Sequence, residues 1–171
     1  MPPPPFPLGQ GVTFGLGKQE LIYVLGVRPD IDAEGFLYYE HTFAPDIQGY
    51  LVYTFEQDRL YGAGYIVTEV GDPAADFLTT YRRFQQGLVD RHGRADADEN
   101  VWQEGRVIER DPSRYGAAIL TGALQCISVW VPDDFVLVLH LSGGYDMANL
   151  ALLYIEPGAP VLREFGAILG I

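Results

Sequence analysis

The order of elements constrains this chain most: a short helix followed by three strands, then a longer helix followed by further strands. Helix one should begin near Lys18, with Gly17 as N-cap and Glu20 where a capping-box glutamate sits, and Gly26 and Pro29 should stop it. Strand patterns follow over 36–43, 49–56 and 60–69, with Leu51, Tyr53 and Phe55 on one face. Gly62 and Gly64 should share one face of the third strand, and Tyr61 and Tyr65 the other. The second helix has Asp72 as cap, Pro73 in its first turn and Gly93 at its end. Its Phe77, Tyr81, Phe84 and Leu88 recur as one apolar stripe. Residues 94–113 read as a loop carrying one short strand, and strands are expected over 117–121, 124–131, 135–141 and 149–156. Ser142 to Asp146 should form the last turn, and 161–171 a final strand or helix.

These patterns predict an α+β fold: two similar halves, each a helix plus an antiparallel meander, with the helices packed on a curved antiparallel sheet. Residues 1–11, with four consecutive prolines, form an extended lead, and 12–171 form one α+β domain with pseudo-repeats at 14–69 and 72–156. A chain of 171 residues that is 48% hydrophobic can bury a substantial core.

The formal charge of -12 disfavours a nucleic-acid backbone or an anionic membrane as partner, because both require clustered Lys and Arg. No apolar run approaches the ~20 residues of a membrane span. The chain as it stands points to the cytoplasm, or to the periplasm if a leader has been removed. Its single cysteine, Cys126, lies in an apolar run with no neighbouring cation in sequence, as a buried structural thiol does.

One part of the sequence carries a family resemblance. Glu20, Val24, Leu25, Gly26 and Pro29, then Tyr53, Phe55, Leu60 and Tyr61, make residues 14–69 resemble the small bacterial modules typified by the BamE/SmpA outer-membrane lipoprotein and the tandem β-lactamase inhibitor protein. The second half follows by element order alone. The resemblance implies a bacterial, non-catalytic protein that binds another protein on an antiparallel sheet. It transfers no individual functional residue, and the lack of a lipobox cysteine argues against a lipoprotein in the form given.

Chemical signatures are absent where they would be expected of an enzyme. The segment from Gly11 to Gln19 lacks the first glycine and the terminal Ser or Thr of a phosphate loop, and Glu20 stands where a dinucleotide fingerprint needs its third glycine. Asp96, Asp98 and Asn100 begin like a calcium loop, but Val101 and Val107 occupy the positions of its glycine and bidentate glutamate. His41, His92 and His140 have no metal-ligand spacing, and Ser113, Ser128 and Ser142 sit in no nucleophile elbow. No metal or cofactor is expected.

The remaining signal is aromatic. Tyr38, Tyr39, Tyr50, Tyr53, Tyr61 and Tyr65 crowd three neighbouring strands, and tyrosine suits protein interfaces because it joins large area to a hydroxyl at small entropic cost. The side of the first strand bearing Tyr38, Glu40 and Thr42 should face a partner, and the side bearing Tyr39 and Phe43 should pack under a helix. Tyr38, Glu40, Thr42, Tyr50, Tyr61 and Tyr65 are thus the candidate interaction surface of a binding module, its partner another protein or a second copy. A small-molecule or lipid-binding protein with an aromatic pocket is the first alternative, and a hydrolase using His140 or His41 the second.

Overall fold

The computed structural model describes residues 4–103 and 111–169. The elements run α1 (Lys18–Leu25), β1 (Ile31–Ala33), β2 (Phe36–Ala44), β3 (Ile47–Glu56), β4 (Arg59–Glu69), α2 (Pro73–His92), β5 (Ala97–Trp102), a 3-10 turn (Pro112–Arg114), α3 (Tyr115–Leu120), β6 (Leu124–Trp130), β7 (Val136–Gly144), β8 (Met147–Ile155) and α4 (Leu162–Leu169). The strands form one antiparallel sheet in the order β1-β2-β3-β4-β8-β7-β6-β5. The α+β class with an antiparallel sheet therefore holds.

Local chemistry sets the helix ends. In α1 the Glu20 carboxylate accepts the Gly17 N–H at 2.8 Å, and Gly26 closes the helix in the left-handed region at φ 68°. In α2 the Asp76 carboxylate accepts the Asp72 N–H at 2.7 Å, and Gly93 leaves at φ 82°. The α2 stripe is buried as the spacing requires: Phe77, Tyr81, Phe84 and Leu88 all belong to the main core.

That core fills one face of the sheet, where Leu37, Tyr39, Tyr53, Phe55, Leu60, Val67, Leu139, Leu141, Leu150, Leu152 and Tyr154 gather with Leu21 of α1 and the α2 stripe. A single helix spans much of it: the Phe84 ring lies 5.9 Å from Phe43 on β2, and the Tyr81 hydroxyl 2.7 Å from Ser128 Oγ on β6. A smaller core occupies the other face, where Ile127, Val129, Val138 and Ile155 lie under Val161, Leu162 and Phe165 of the C-terminal segment. The strands β7 and β8 are covered on both faces, which explains their nearly continuous apolar sequence.

Several expectations need correction. The expected strand over 117–121 is instead the end of α3 and its cap Thr121: the Asp111 carboxylate accepts the Ser113 N–H at 3.0 Å and starts a helical turn that runs into α3. Of the two forms expected for the tail, the helix is the one present, as α4. The turn expected over Ser142 to Asp146 is only Tyr145 and Asp146, both at positive φ as a two-residue hairpin requires, and β7 continues through Gly144. The strand β1 went unforeseen. The lead does not stand apart from the domain, because Pro7 is buried and Leu8 and Val12 join the main core.

A bulge changes the parity of β4. Phe55 pairs with Leu60 and Thr54 with Gly62, so Tyr61 is left over and the alternation restarts after it. Tyr61 consequently packs with the second core, whereas Tyr65 faces the main core.

Truncating the α2 stripe tests this arrangement. Phe84, 1% exposed, should lose about 3–5 kcal/mol on substitution by Ala. A loss below about 1 kcal/mol in urea melts would mean that the helix does not sit on the sheet.

Candidate functional site

Antiparallel pairing fixes which side chains share a face of β2 and β3. Ile31 lies opposite Tyr38, Tyr38 opposite Val52, Glu40 opposite Tyr50 and Thr42 opposite Gln48, so all occupy the side away from α2. Tyr38 stacks on Phe36 at 5.9 Å between ring centroids and meets Tyr50 edge-on at 5.8 Å. Val52 is buried beneath these rings, and the Thr42 hydroxyl donates to Gln48 Oε1 at 3.1 Å. The outer surface keeps apolar area in view: Ile31 is 46% and Phe36 38% exposed. The result is an aromatic strip with a polar flank of Glu40, Thr42 and Gln48.

Five of the six candidate residues, Tyr38, Glu40, Thr42, Tyr50 and Tyr61, therefore lie on one side of the sheet. Tyr65 does not. The bulge sends it to the α2 side, where it is 3% exposed and packs against His41 and Phe43. Burial pushes its hydroxyl pKa up to about 12, so it is a neutral core phenol. Alternation on β2 is as expected: Tyr39 is buried, with its ring edge-on to Tyr53 at 6.0 Å, while Glu40 and Thr42 are exposed.

The surroundings of the strip are acidic. Within residues 1–69 the basic side chains are Lys18, Arg28 and Arg59; Lys18 is held by Asp32 and Arg59 by Glu156. Glu40, Asp30 and Asp46 are exposed along the same border.

The histidines are placed apart. His140 faces the second core, its ring 5.7 Å from Phe165, and its Nε2 lies 2.9 Å from Gln125 Oε1. His41 lies on the α2 side against Phe43 and Tyr65. Each has an amide or an aromatic ring where a hydrolytic base would need a carboxylate to orient it. Burial lowers the pKa of both, as it does for His92 beside Arg91.

A polar cluster escaped the sequence reading. Under α2, Ser128 Oγ donates to Asp98 Oδ1 at 2.9 Å, accepts from Gln85 Nε2 at 2.9 Å and lies 2.7 Å from the Tyr81 hydroxyl. Ser128 is fully buried, and these bonds tie β5 and β6 to the helix. Only Ser128 carried a local hint, a lone polar residue in an apolar strand; its partners lie 30 to 47 residues away. Cys126, beside this cluster, has its thiol pushed up to about 11 by burial. Among the described residues no group of His, Cys, Asp or Glu is arranged to hold a metal ion. No described helix is long and apolar enough to cross a membrane.

No family model, no curated protein and no solved structure matches the chain.

Two measurements probe these environments. The histidines bind protons less readily when folded, so the unfolded chain takes up more protons as pH falls through about 6.5, and stability should fall between about pH 7 and 5. Urea midpoints should show this fall, and His140→Gln should reduce it; an equal slope in the variant would mean that His140 is not a contributor. Cys126 should resist a thiol reagent at neutral pH until the protein is unfolded, and fast labelling of the native protein would contradict its burial.

Proposed function

We propose that the chain is a non-catalytic binding module, built of two similar helix-plus-meander halves, that docks another protein on the part of its sheet around Tyr38 and Tyr50. One observation carries this reading. The C-terminal segment covers the outer face over β6 to β8, while the aromatic strip on β2 and β3 stays partly exposed with a polar flank. Stacked amphipathic rings beside Glu40 and Thr42 can remain in water in the free protein and give up that water to a partner.

The two-halves reading draws on the strand order, in which two four-stranded meanders meet at β4 and β8. In each meander the last hairpin turns through two residues at positive φ with Asp second, Gln57-Asp58 and Tyr145-Asp146. Each turn also meets a short helix: Asp58 Oδ1 accepts the Lys18 N–H at 2.9 Å, and the Asp146 N–H donates to Leu120 O at 3.2 Å. Such shared grammar fits duplication.

A second reading draws on a cavity of about 340 Å³ between the lead, α1 and the sheet, lined by Phe6, Val12, Val24, Leu51, Tyr53 and Tyr65. Its lining has no charged side chain, so its occupant would be an uncharged small molecule.

Paired truncations on β2 test the docking face. Tyr39→Ala should lose about 3–5 kcal/mol and Tyr38→Ala about 1 kcal/mol, because only the first empties a core site. Equal losses in urea melts would show that both faces are covered and would remove the docking surface.

A further inference from the structure

The strand β1 is much shorter than the strand it protects. It pairs only with Phe36, Leu37 and Tyr38, while β2 continues to Ala44. Just past it, the Asp30 N–H donates to Tyr38 O at 2.9 Å and the Asp30 carboxylate accepts the Glu40 N–H at 2.7 Å. Successive residues of an antiparallel strand direct their backbone groups to opposite neighbours, so the Glu40 carbonyl and both backbone groups of Thr42 point the same way as the Glu40 N–H. Among the described residues no strand lies on that side of 40–44.

From this free edge we propose that the partner engages as an extended, basic segment that adds a strand to β2 along residues 40–42, up to the irregularity between Thr42 and Ala44. The inference rests on the reading of the β2–β3 region as the docking side, and it names the partner's chemistry. A row of outward main-chain donors and acceptors is matched by an extended main chain. Charge then selects which one. Asp30, Glu40 and Asp46 are exposed along or beside this edge, on a chain of charge -12, so Lys and Arg side chains are attracted and a second copy of the chain is repelled. Tyr38, on the open face beside Glu40, offers a ring to the stem or guanidinium of such a residue. The same acidic rim blunts the edge against aggregation while leaving it open to a cationic strand.

The test uses the full chain and three synthetic probes of about eight residues: alternating Lys with Val or Thr, the same peptide with Glu for Lys, and the Lys peptide N-methylated on alternate amides. Amide exchange by NMR and fluorescence anisotropy are read together. Thr42 N–H should exchange freely in the protein alone, and the Lys peptide should slow it about tenfold or more, while the Glu and N-methylated peptides should not. Thr42→Pro should weaken the Lys peptide about tenfold or more; Glu40→Lys, which leaves the backbone intact, should also weaken it if the proline variant misfolds. Protection of Thr42 in the free protein, no effect of the Lys peptide on Thr42, or equal binding of its N-methylated form would overturn the strand-addition proposal. Binding that is lost in Tyr38→Ala but kept in Thr42→Pro would sink the edge and leave the docking face standing. Binding indifferent to both would remove the two together.

Discussion

Everything in this fold depends on the seam between β4 and β8. Backbone pairing of residues 62–67 with 150–155 joins two meanders that are otherwise linked through α2. The strands approach so closely there that a Cβ on Gly64 would stand 2.1 Å from the Leu152 carbonyl oxygen, which admits glycine alone. At one end of the seam the Glu156 N–H donates to Tyr61 O at 2.8 Å, and the Arg59 guanidinium grips the Glu156 carboxylate. Once the seam is closed, the sheet is continuous from β1 to β5, and α2 has one unbroken apolar surface on which to lie.

The two faces of that sheet are asymmetric, and the asymmetry creates the candidate site. One face is filled by α2 and the lead, so its tyrosines are neutral and packed. The other is divided: the short C-terminal helix seals the half with β7 and β8, and the aromatic strip of β2 and β3 lies beyond it. Acidic side chains border the strip, and two of the three bases in the first part of the chain, Lys18 and Arg59, are already engaged at Asp32 and Glu156. Apolar area and negative charge therefore coincide on one border of the molecule.

What could be read from the sequence was whatever repeats with a period or ends with a specific backbone requirement. The stripe Phe77, Tyr81, Phe84 and Leu88 and the stops at Gly26 and Gly93 were legible for that reason, and so was the opposition of Tyr38 and Tyr39. The element at 117–120 is ambiguous in the sequence because a run of four apolar residues suits helix and strand alike, and the informative signal, Asp111 before Pro112, lies upstream of it. β1 is three residues of mixed polarity, held by its hairpin to β2 and not by any pattern of its own. Strict alternation puts Tyr65 on the wrong face because one bulged residue reverses parity, and a bulge leaves no mark in a strand's composition. The Ser128 cluster draws on residues 81, 85 and 98, and only folding brings those side chains to one place.

The position of the seam also orders events in time. A ribosome adding roughly 5–20 residues per second completes β4 some 4 to 17 seconds before β8 is complete. During that interval β4, the last strand of the first meander, lacks its eventual neighbour β8. Pairings between residues so distant in sequence are entropically slow to form. The chain is thus exposed to mispairing while it is being made, and the lead and α1, already synthesised, are the elements at hand to shield the apolar side of that strand around Leu60 and Tyr65.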